Sequence, residues 1–144
     1  IFSTRLVNDM PPIIHEDGMQ SRDFIYVEDV AEANILAAEN TESDYEIFNV
    51  VTGNAVTINE IAKKLTKLYN KKIDSEYPGS FRPADVRHIV ADPKKINRIL
   101  GFKPKYSFDE GIAKYVSWIR TQGEIKEYFT KAQEELKQSR IIKN

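Results

Sequence analysis

The stretch DFIYVEDVAEANILAAENTESDYEIFNVV, residues 23–51, decides the fold class. Aromatic and β-branched side chains over residues 23–27 predict a short strand. Asp29 is predicted to cap a helix over residues 29–40, whose apolar face has small side chains that suit close packing on a sheet. Residues 46–51 predict a second, buried strand. A strand, a crossover helix and another strand in this order indicate an α/β fold.

Helix-start signals that follow this stretch predict further helices. Residues 57–60 and 107–110 each have the pattern of a capping box, in which the first and last residues bond each other's backbone amides. Asp92-Pro93 predicts the start of another helix, and Gly101 predicts its end. Short extended segments are predicted at residues 13–15, 73–77 and 86–90.

Both ends of the chain are predicted to be helical. The first residue is Ile1 rather than Met, and residues 1–7 resemble part of an amphipathic helix without a capping residue before it. We therefore expect a fragment of a longer protein. Residues 123–144 have apolar side chains at helical spacing on a strongly charged background, which predicts an appended amphipathic helix.

Composition and charge argue against several classes of function. The chain has 21 basic and 22 acidic side chains, and this balance disfavours broad nucleic-acid binding, which needs a basic face. The apolar runs are far shorter than the roughly 20 residues that cross a bilayer, so no membrane association is predicted. The absence of cysteine excludes disulfides and thiol catalysis, and with only His15 and His88 no structural zinc site is expected.

Three stretches in series resemble the extended short-chain dehydrogenases that act on nucleotide sugars. Residues 16–30, EDGMQSRDFIYVEDV, are similar to a pattern close to D-G-x-Q-x-R-D-F-x-Y-V-x-D-V. Residues 48–53, FNVVTG, are similar to the end of a family strand. Residues 82–112 contain RPADVRH, AD, LGFKP and FDEGI in the family's order. The resemblance covers about residues 1–120, and the nearest group is the UDP-glucose 4-epimerases.

This resemblance implies the C-terminal, substrate-binding part of such an enzyme, with an α/β fold. Residues 1–122 would form the nucleotide-sugar-binding portion, in which the crossover helix 29–40 and the strand 46–51 belong to the edge of a Rossmann sheet. Residues 123–144 would be the appended helix. The N-terminal dinucleotide-binding domain, which binds most of the cofactor NAD in this family, is expected to be absent.

The groups that carry out the family's chemistry are not found in the sequence. A dinucleotide fold begins with a glycine-rich turn, but the six glycines of this chain are too widely spaced to form one. The family also uses a Tyr-x-x-x-Lys pair, in which lysine lowers the pKa of the tyrosine base. None of the seven tyrosines has lysine four residues later. We therefore assign no catalytic residue and expect the chain to be inactive alone.

Five residues are assigned to substrate binding by the resemblance. Arg22 and Arg82 would hold the diphosphate, since a planar guanidinium fork matches phosphate oxygens. Asp85 would accept a hydrogen bond from a ribose hydroxyl. The backbone at Ile13 and His15 would pair with the edge of a uracil or thymine ring, because an extended segment has amide groups that point sideways.

Structural interpretations of the same residues stay open. Arg22 beside Asp23 could form a surface ion pair of little energetic value. Arg82 and Asp85 could pair within their loop and fix the turn between them. The pair His15-Glu16 stands where the family often has an aromatic residue followed by glycine. The other departures are Val51 and Ala84, each in place of a glycine.

The implied function is that of an NAD-dependent nucleotide-sugar 4-epimerase. Its substrate would be a UDP- or dTDP-sugar, the intact enzyme would be a homodimer, and a cytoplasmic location is expected. The alternatives are a nucleotide-sugar 4,6-dehydratase, a UDP-glucuronate decarboxylase, or a non-catalytic module that binds nucleotide sugars. A further alternative is an interaction protein whose charged segment after Gly123 docks a partner. A glycine-rich turn and a Tyr-x-x-x-Lys pair encoded upstream of Ile1 would support the enzyme.

Overall fold

The computed structural model describes residues 1–83, 85–139 and 141–142, so the predicted departure at Ala84 lies outside the described residues. Helices are combined with a small sheet, which agrees with the predicted α/β class. The helices are α1 (Phe2–Val7), α2 (Val27–Glu39), α3 (Ile58–Leu68), α4 (Lys94–Leu100), α5 (Phe108–Thr121) and α6 (Phe129–Gln138). The strands are β1 (Ser21–Asp23), β2 (Ala55–Thr57) and β3 (His88–Ile89), in the order β2-β1-β3. A 3-10 turn covers Thr41–Ser43.

The chain divides into two compact units, each with its own buried core. The first unit contains residues 1–20, 57–88 and 115–144, and the second contains residues 21–56 and 89–114. Buried side chains of the first unit include Leu6, Ile14, Ala62, Leu65 and Val116. The buried cluster of the second unit is Ala33, Ile96, Leu100 and Phe102. Among the described residues, no helix is long and apolar enough to cross a membrane.

In the first unit, α3 begins with the predicted capping box. The Thr57 hydroxyl accepts a hydrogen bond from the Glu60 N–H, and the Glu60 carboxylate accepts one from the Thr57 N–H at 2.8 Å. Both bonds satisfy amides that have no partner inside the helix. Ala62 and Leu65 occupy the buried side of this helix. Among its described residues, the appended segment is helical over Phe129–Gln138, whereas residues 123–128 of the predicted span 123–144 are not helical.

Two extended segments of the first unit pair through one isolated bridge. Ile13 and Glu76 form an isolated parallel bridge, in which the Ile14 N–H donates to the Glu76 carbonyl and the Glu76 N–H donates to the Pro12 carbonyl. The strand predicted over residues 73–77 is therefore reduced to one bridge. The side chain of Ile14 is 1% exposed, so the bridge fixes this segment onto the core.

In the second unit, α4 closes as the sequence predicts. The Asp92 carboxylate accepts a hydrogen bond from the Lys94 N–H at 2.8 Å, and the helix begins at Lys94. Gly101 ends the helix with φ 66°, in the left-handed region that glycine adopts without a steric penalty.

The prediction that Asp29 caps α2 is wrong. This helix begins at Val27, and Asp29 lies inside its first turn with no exposed surface. The Asp29 carboxylate accepts hydrogen bonds from the backbone N–H groups of Lys105 and Tyr106, at 2.9 and 3.3 Å. A buried carboxylate needs such donors, and a distant loop supplies them here.

The strands of the second unit also differ from the prediction. The first strand is Ser21–Asp23 rather than 23–27, and residues 46–51 belong to no hydrogen-bonded strand. Phe48 and Val50 pack against the core, whereas Ile47 is 84% exposed, so the segment keeps the alternation of a strand. A strand requires a neighbour that accepts its hydrogen bonds. None of the strands in the described part of the chain lies beside residues 46–51.

Candidate functional site

The segment around Ile13 presents its backbone on the side away from the bridge. The bridge uses the N–H of Ile14 and the carbonyl of Pro12. In parallel pairing, the amide and carbonyl of the bridged residue itself point to the opposite edge. The Ile13 amide and carbonyl thus point away from Glu76, and their predicted pairing with a base stays a prediction.

His15 is already engaged with its own chain. Its Nδ1 lies 2.8 Å from the Ser80 hydroxyl oxygen, and its carbonyl accepts a hydrogen bond from the Gln20 side-chain amide at 3.0 Å. The Glu16 N–H donates to the Ser80 carbonyl. Ser80 has no exposed surface, so this contact joins the Ile13–Glu16 segment to the loop that carries Arg82. The His15 carbonyl therefore already has one donor, the Gln20 side-chain amide.

The turn after His15 is held by an arginine that was not singled out from the sequence. Arg87 contacts the carboxylates of Glu16 at 3.0 Å and Asp17 at 2.6 Å. The hydrogen bond between Asp17 and Arg87 lowers the pKa of the Asp17 carboxyl and raises the pKa of the Arg87 guanidinium. Glu16 has φ 55°, in the left-handed region that glycine adopts without a steric penalty. Gly18 also has a positive φ, and a Cβ atom there would collide with the Asn59 side chain.

Arg82 lines a groove of about 390 Å³ in the first unit, which we call the Arg82 groove. Its Nε is buried and has no hydrogen-bond partner within the described residues. Buried polar groups in folded proteins are normally satisfied, so this Nε is an exception to that rule. The other described lining residues are Ile1, Thr4, Lys126, Tyr128, Phe129, Ala132 and Leu136.

Asp85 is exposed and follows Arg82 in the same loop. The Asp85 N–H donates to the Arg82 carbonyl at 3.0 Å, which closes a turn between them. The side chains of these two described residues form no ion pair with each other. The backbone hydrogen bond therefore joins these two residues, and their side chains are not used to bind each other.

Arg22 lies in the second unit, on β1, where its Nη1 donates to the Ser21 carbonyl at 2.8 Å. The neighbouring Asp23 carboxylate accepts hydrogen bonds from the Thr52 N–H at 2.9 Å, the Thr52 hydroxyl at 2.6 Å and the Gly53 N–H at 2.7 Å. Asp23 therefore holds the 52–53 turn. This contact joins two of the three motifs, which the sequence does not predict.

The tyrosine with the largest pKa shift is unsuited to act as a base. The Tyr106 hydroxyl donates to Glu28 Oε2 at 2.7 Å, and this bond raises the pKa of Tyr106 to about 12. Burial also raises the pKa of Tyr69. Both phenols are neutral near pH 7. A tyrosine base needs a lowered pKa, so neither residue fits that role.

Of the predicted binding residues, Ile13, His15, Arg82 and Asp85 belong to the first unit and Arg22 to the second. No group of His, Asp or Glu side chains in the described ranges is arranged to hold a metal ion. The first unit therefore contains both the Arg82 groove and a segment with outward-facing backbone groups.

Comparison with known proteins identifies the family. A family model described as GDP-mannose 4,6 dehydratase matches residues 3–115. The UDP-glucuronate 4-epimerase of Thermodesulfobacterium geofontis is 35% identical over 125 residues, which cover 86% of this chain and 38% of that protein. The chain therefore belongs to this family of extended short-chain dehydrogenases, as its three motifs predict.

Solved structures agree with the family and the fold. The UDP-glucose 4-epimerase of Thermotoga maritima with UDP-glucose has a TM-score of 0.77 and 35% identity, over 83% of this chain and 38% of that one. The Thermus thermophilus UDP-glucose 4-epimerase in complex with NAD has a TM-score of 0.71 and 28% identity, over 85% and 39%. The predicted fold class is confirmed. The chain spans a little over a third of the length of these relatives.

Proposed function

We propose that this chain binds the nucleotide end of a nucleotide sugar, as the substrate-binding part of an NAD-dependent nucleotide-sugar 4-epimerase. The observation that carries the proposal is the half-buried Arg82 side chain, which lines a groove and forms no ion pair with a described carboxylate. The family's motif surrounds this arginine. Phosphate oxygens are acceptors that suit a guanidinium group.

Each remaining residue has a role in this proposal. Arg22 is the second cation for the diphosphate, and Asp85 accepts a hydrogen bond from a ribose hydroxyl. The backbone at Ile13, with the His15 amide beside it, binds the edge of the base. Binding the part of the substrate that does not react positions the sugar for chemistry elsewhere, and this is how remote contacts contribute to catalysis.

The chemistry itself is assigned to groups outside this sequence. In such an enzyme NAD supplies the acceptor for a hydride from the sugar. The residues of this chain do not fit that cofactor, because the sequence contains neither a glycine-rich turn nor a Tyr-x-x-x-Lys pair. We propose that residues 1–122 bind the nucleotide sugar, that 123–144 are an appended segment, and that the chain is inactive without a dinucleotide-binding domain. The intact enzyme would be a cytoplasmic homodimer.

A second candidate is a nucleotide-sugar 4,6-dehydratase, which the description of the matching family model favours. A decarboxylase of UDP-glucuronate and a non-catalytic binding module share the same nucleotide site. All of these candidates predict binding of the nucleotide, and they differ in what happens to the sugar. Nucleotide binding is therefore the part of the proposal that can be tested with this chain alone.

The test is calorimetric titration of the chain with UDP, dTDP and GDP at two salt concentrations. UDP or dTDP should bind weakly, and binding should weaken at high salt, since charged contacts near a surface are screened. GDP should bind less well, because a backbone edge arranged for a pyrimidine does not match a guanine. Absence of binding by all three nucleotides would defeat the proposal.

A further inference from the structure

The Arg82 groove contains a second cation that the family pattern does not include. Lys126 lines the groove together with Arg82. Among the described lining residues there is no carboxylate, and most are apolar or aromatic, including Tyr128, Phe129 and Leu136. Residue 126 lies beyond the range 3–115 that the family model matches.

The segment that carries Lys126 is anchored on both sides of that residue. Asn8 Nδ2 donates to the Ile125 carbonyl at 2.9 Å. Arg5 is only 4% exposed, and its Nη1 lies 3.6 Å from Glu127 Oε1. The residues before and after Lys126 are thus both held by α1 or the turn that follows it. The Lys126 backbone therefore has a fixed place beside the groove, although its ammonium group is exposed.

The positive charge of the groove is not neutralised by the described part of the chain. Neither Arg82 nor Lys126 forms an ion pair with a described carboxylate. The nearest acidic residue in sequence, Glu127, is turned to Arg5 and also accepts a hydrogen bond from the Thr130 hydroxyl at 2.9 Å. Two like charges that share a groove repel each other, and an anion bound between them relieves that repulsion.

We propose that Lys126 joins Arg82 in binding the diphosphate of the nucleotide sugar, so that the C-terminal segment supplies part of the substrate site. Guanidinium and ammonium groups both form charge-assisted hydrogen bonds with phosphate oxygens. Tyr128 and Phe129 line the same groove. This inference rests on the proposed function, because it adds a further residue to the diphosphate site that contains Arg82.

The test compares single substitutions by calorimetric titration with UDP and with inorganic pyrophosphate. Lys126→Met keeps the length of the side chain and removes its charge. Its matched control is Lys131→Met, which removes the same charge from an exposed position of α6 outside the groove. Lys126→Met should weaken both ligands by about tenfold or more, the range for a charged hydrogen bond. Lys131→Met should change either affinity less than twofold, and Lys126→Arg should retain most of the binding.

The outcomes separate this inference from the proposed function. If Lys126→Met binds like the unaltered chain while Arg82→Met is weakened, the inference is overturned and the proposed function stands. A loss with UDP but not with pyrophosphate also overturns it, because Lys126 would then act away from the diphosphate. If neither substitution changes UDP binding, both the inference and the diphosphate site at Arg82 are wrong. Circular dichroism of each variant should match that of the unaltered chain, since Lys126 forms no internal hydrogen bond among the described residues.

Discussion

Removing the Asp29 carboxylate should destabilise the protein far more than removing a helix cap. Its two oxygens accept from the N–H groups of Lys105 and Tyr106, and Asp29 has no exposed surface. Asp29→Ala leaves two backbone donors without partners, at roughly 1–3 kcal/mol each. Because the loop residues are partly exposed, water can accept some of the hydrogen bonds that these N–H groups lose. We therefore expect a loss of about 3 kcal/mol in the free energy of unfolding.

The assay is urea unfolding followed by far-UV circular dichroism. Asp92→Ala is the matched control, because Asp92 is exposed and accepts one N–H at the start of α4. It should cost about 1 kcal/mol, the typical value for a lost cap. Equal losses for the two variants would refute the reasoning, since Asp29 would then be no more than the cap that the sequence suggested.

Two further predictions concern the turn after His15 and the titration of Tyr106. Glu16→Gly should be more stable than Glu16→Ala by about 1 kcal/mol in urea unfolding. Both variants lose the contact with Arg87, and only glycine adopts the left-handed φ of this position without strain. Equal stability of the two variants would contradict backbone strain at Glu16. Because the pKa of Tyr106 is raised, the hydrogen bond of its neutral phenol to Glu28 stabilises the folded protein fully below pH 10. This stabilisation is lost as pH rises towards about 12. Ultraviolet titration should show a phenol with a pKa near 12, and this pKa should fall in Glu28→Gln. An unchanged pKa in Glu28→Gln would contradict the assignment of the shift to Glu28.

The features that sequence reasoning predicted correctly depend on nearby residues. The capping box of Thr57 and Glu60 spans four positions, and the left-handed end of α4 needs only Gly101 itself. Local chemistry of this kind is fixed by the sequence wherever the element lies in the fold. The family motifs likewise are read residue by residue, and the comparisons confirm the membership that they predict.

The features that were missed depend on partners far away along the chain. Asp29 has the sequence context of a cap, but its partners lie 76 and 77 residues later. Residues 46–51 have the composition of a buried strand, yet a strand forms only where another strand is beside it. The contact of Arg87 with Glu16 and Asp17 spans about 70 residues and involves exposed side chains, for which periodicity gives no signal.

The most direct test of the central claim is the affinity of the chain for UDP after removal of the Arg82 guanidinium. Arg98→Met is the control, because Arg98 is an exposed arginine on α4 and has no place in the proposed site. A charged hydrogen bond is worth roughly 1.5–3 kcal/mol, so Arg82→Met should raise the dissociation constant for UDP by more than tenfold while Arg98→Met leaves it unchanged. An unchanged dissociation constant in Arg82→Met would contradict the claim that this chain binds the diphosphate of a nucleotide sugar.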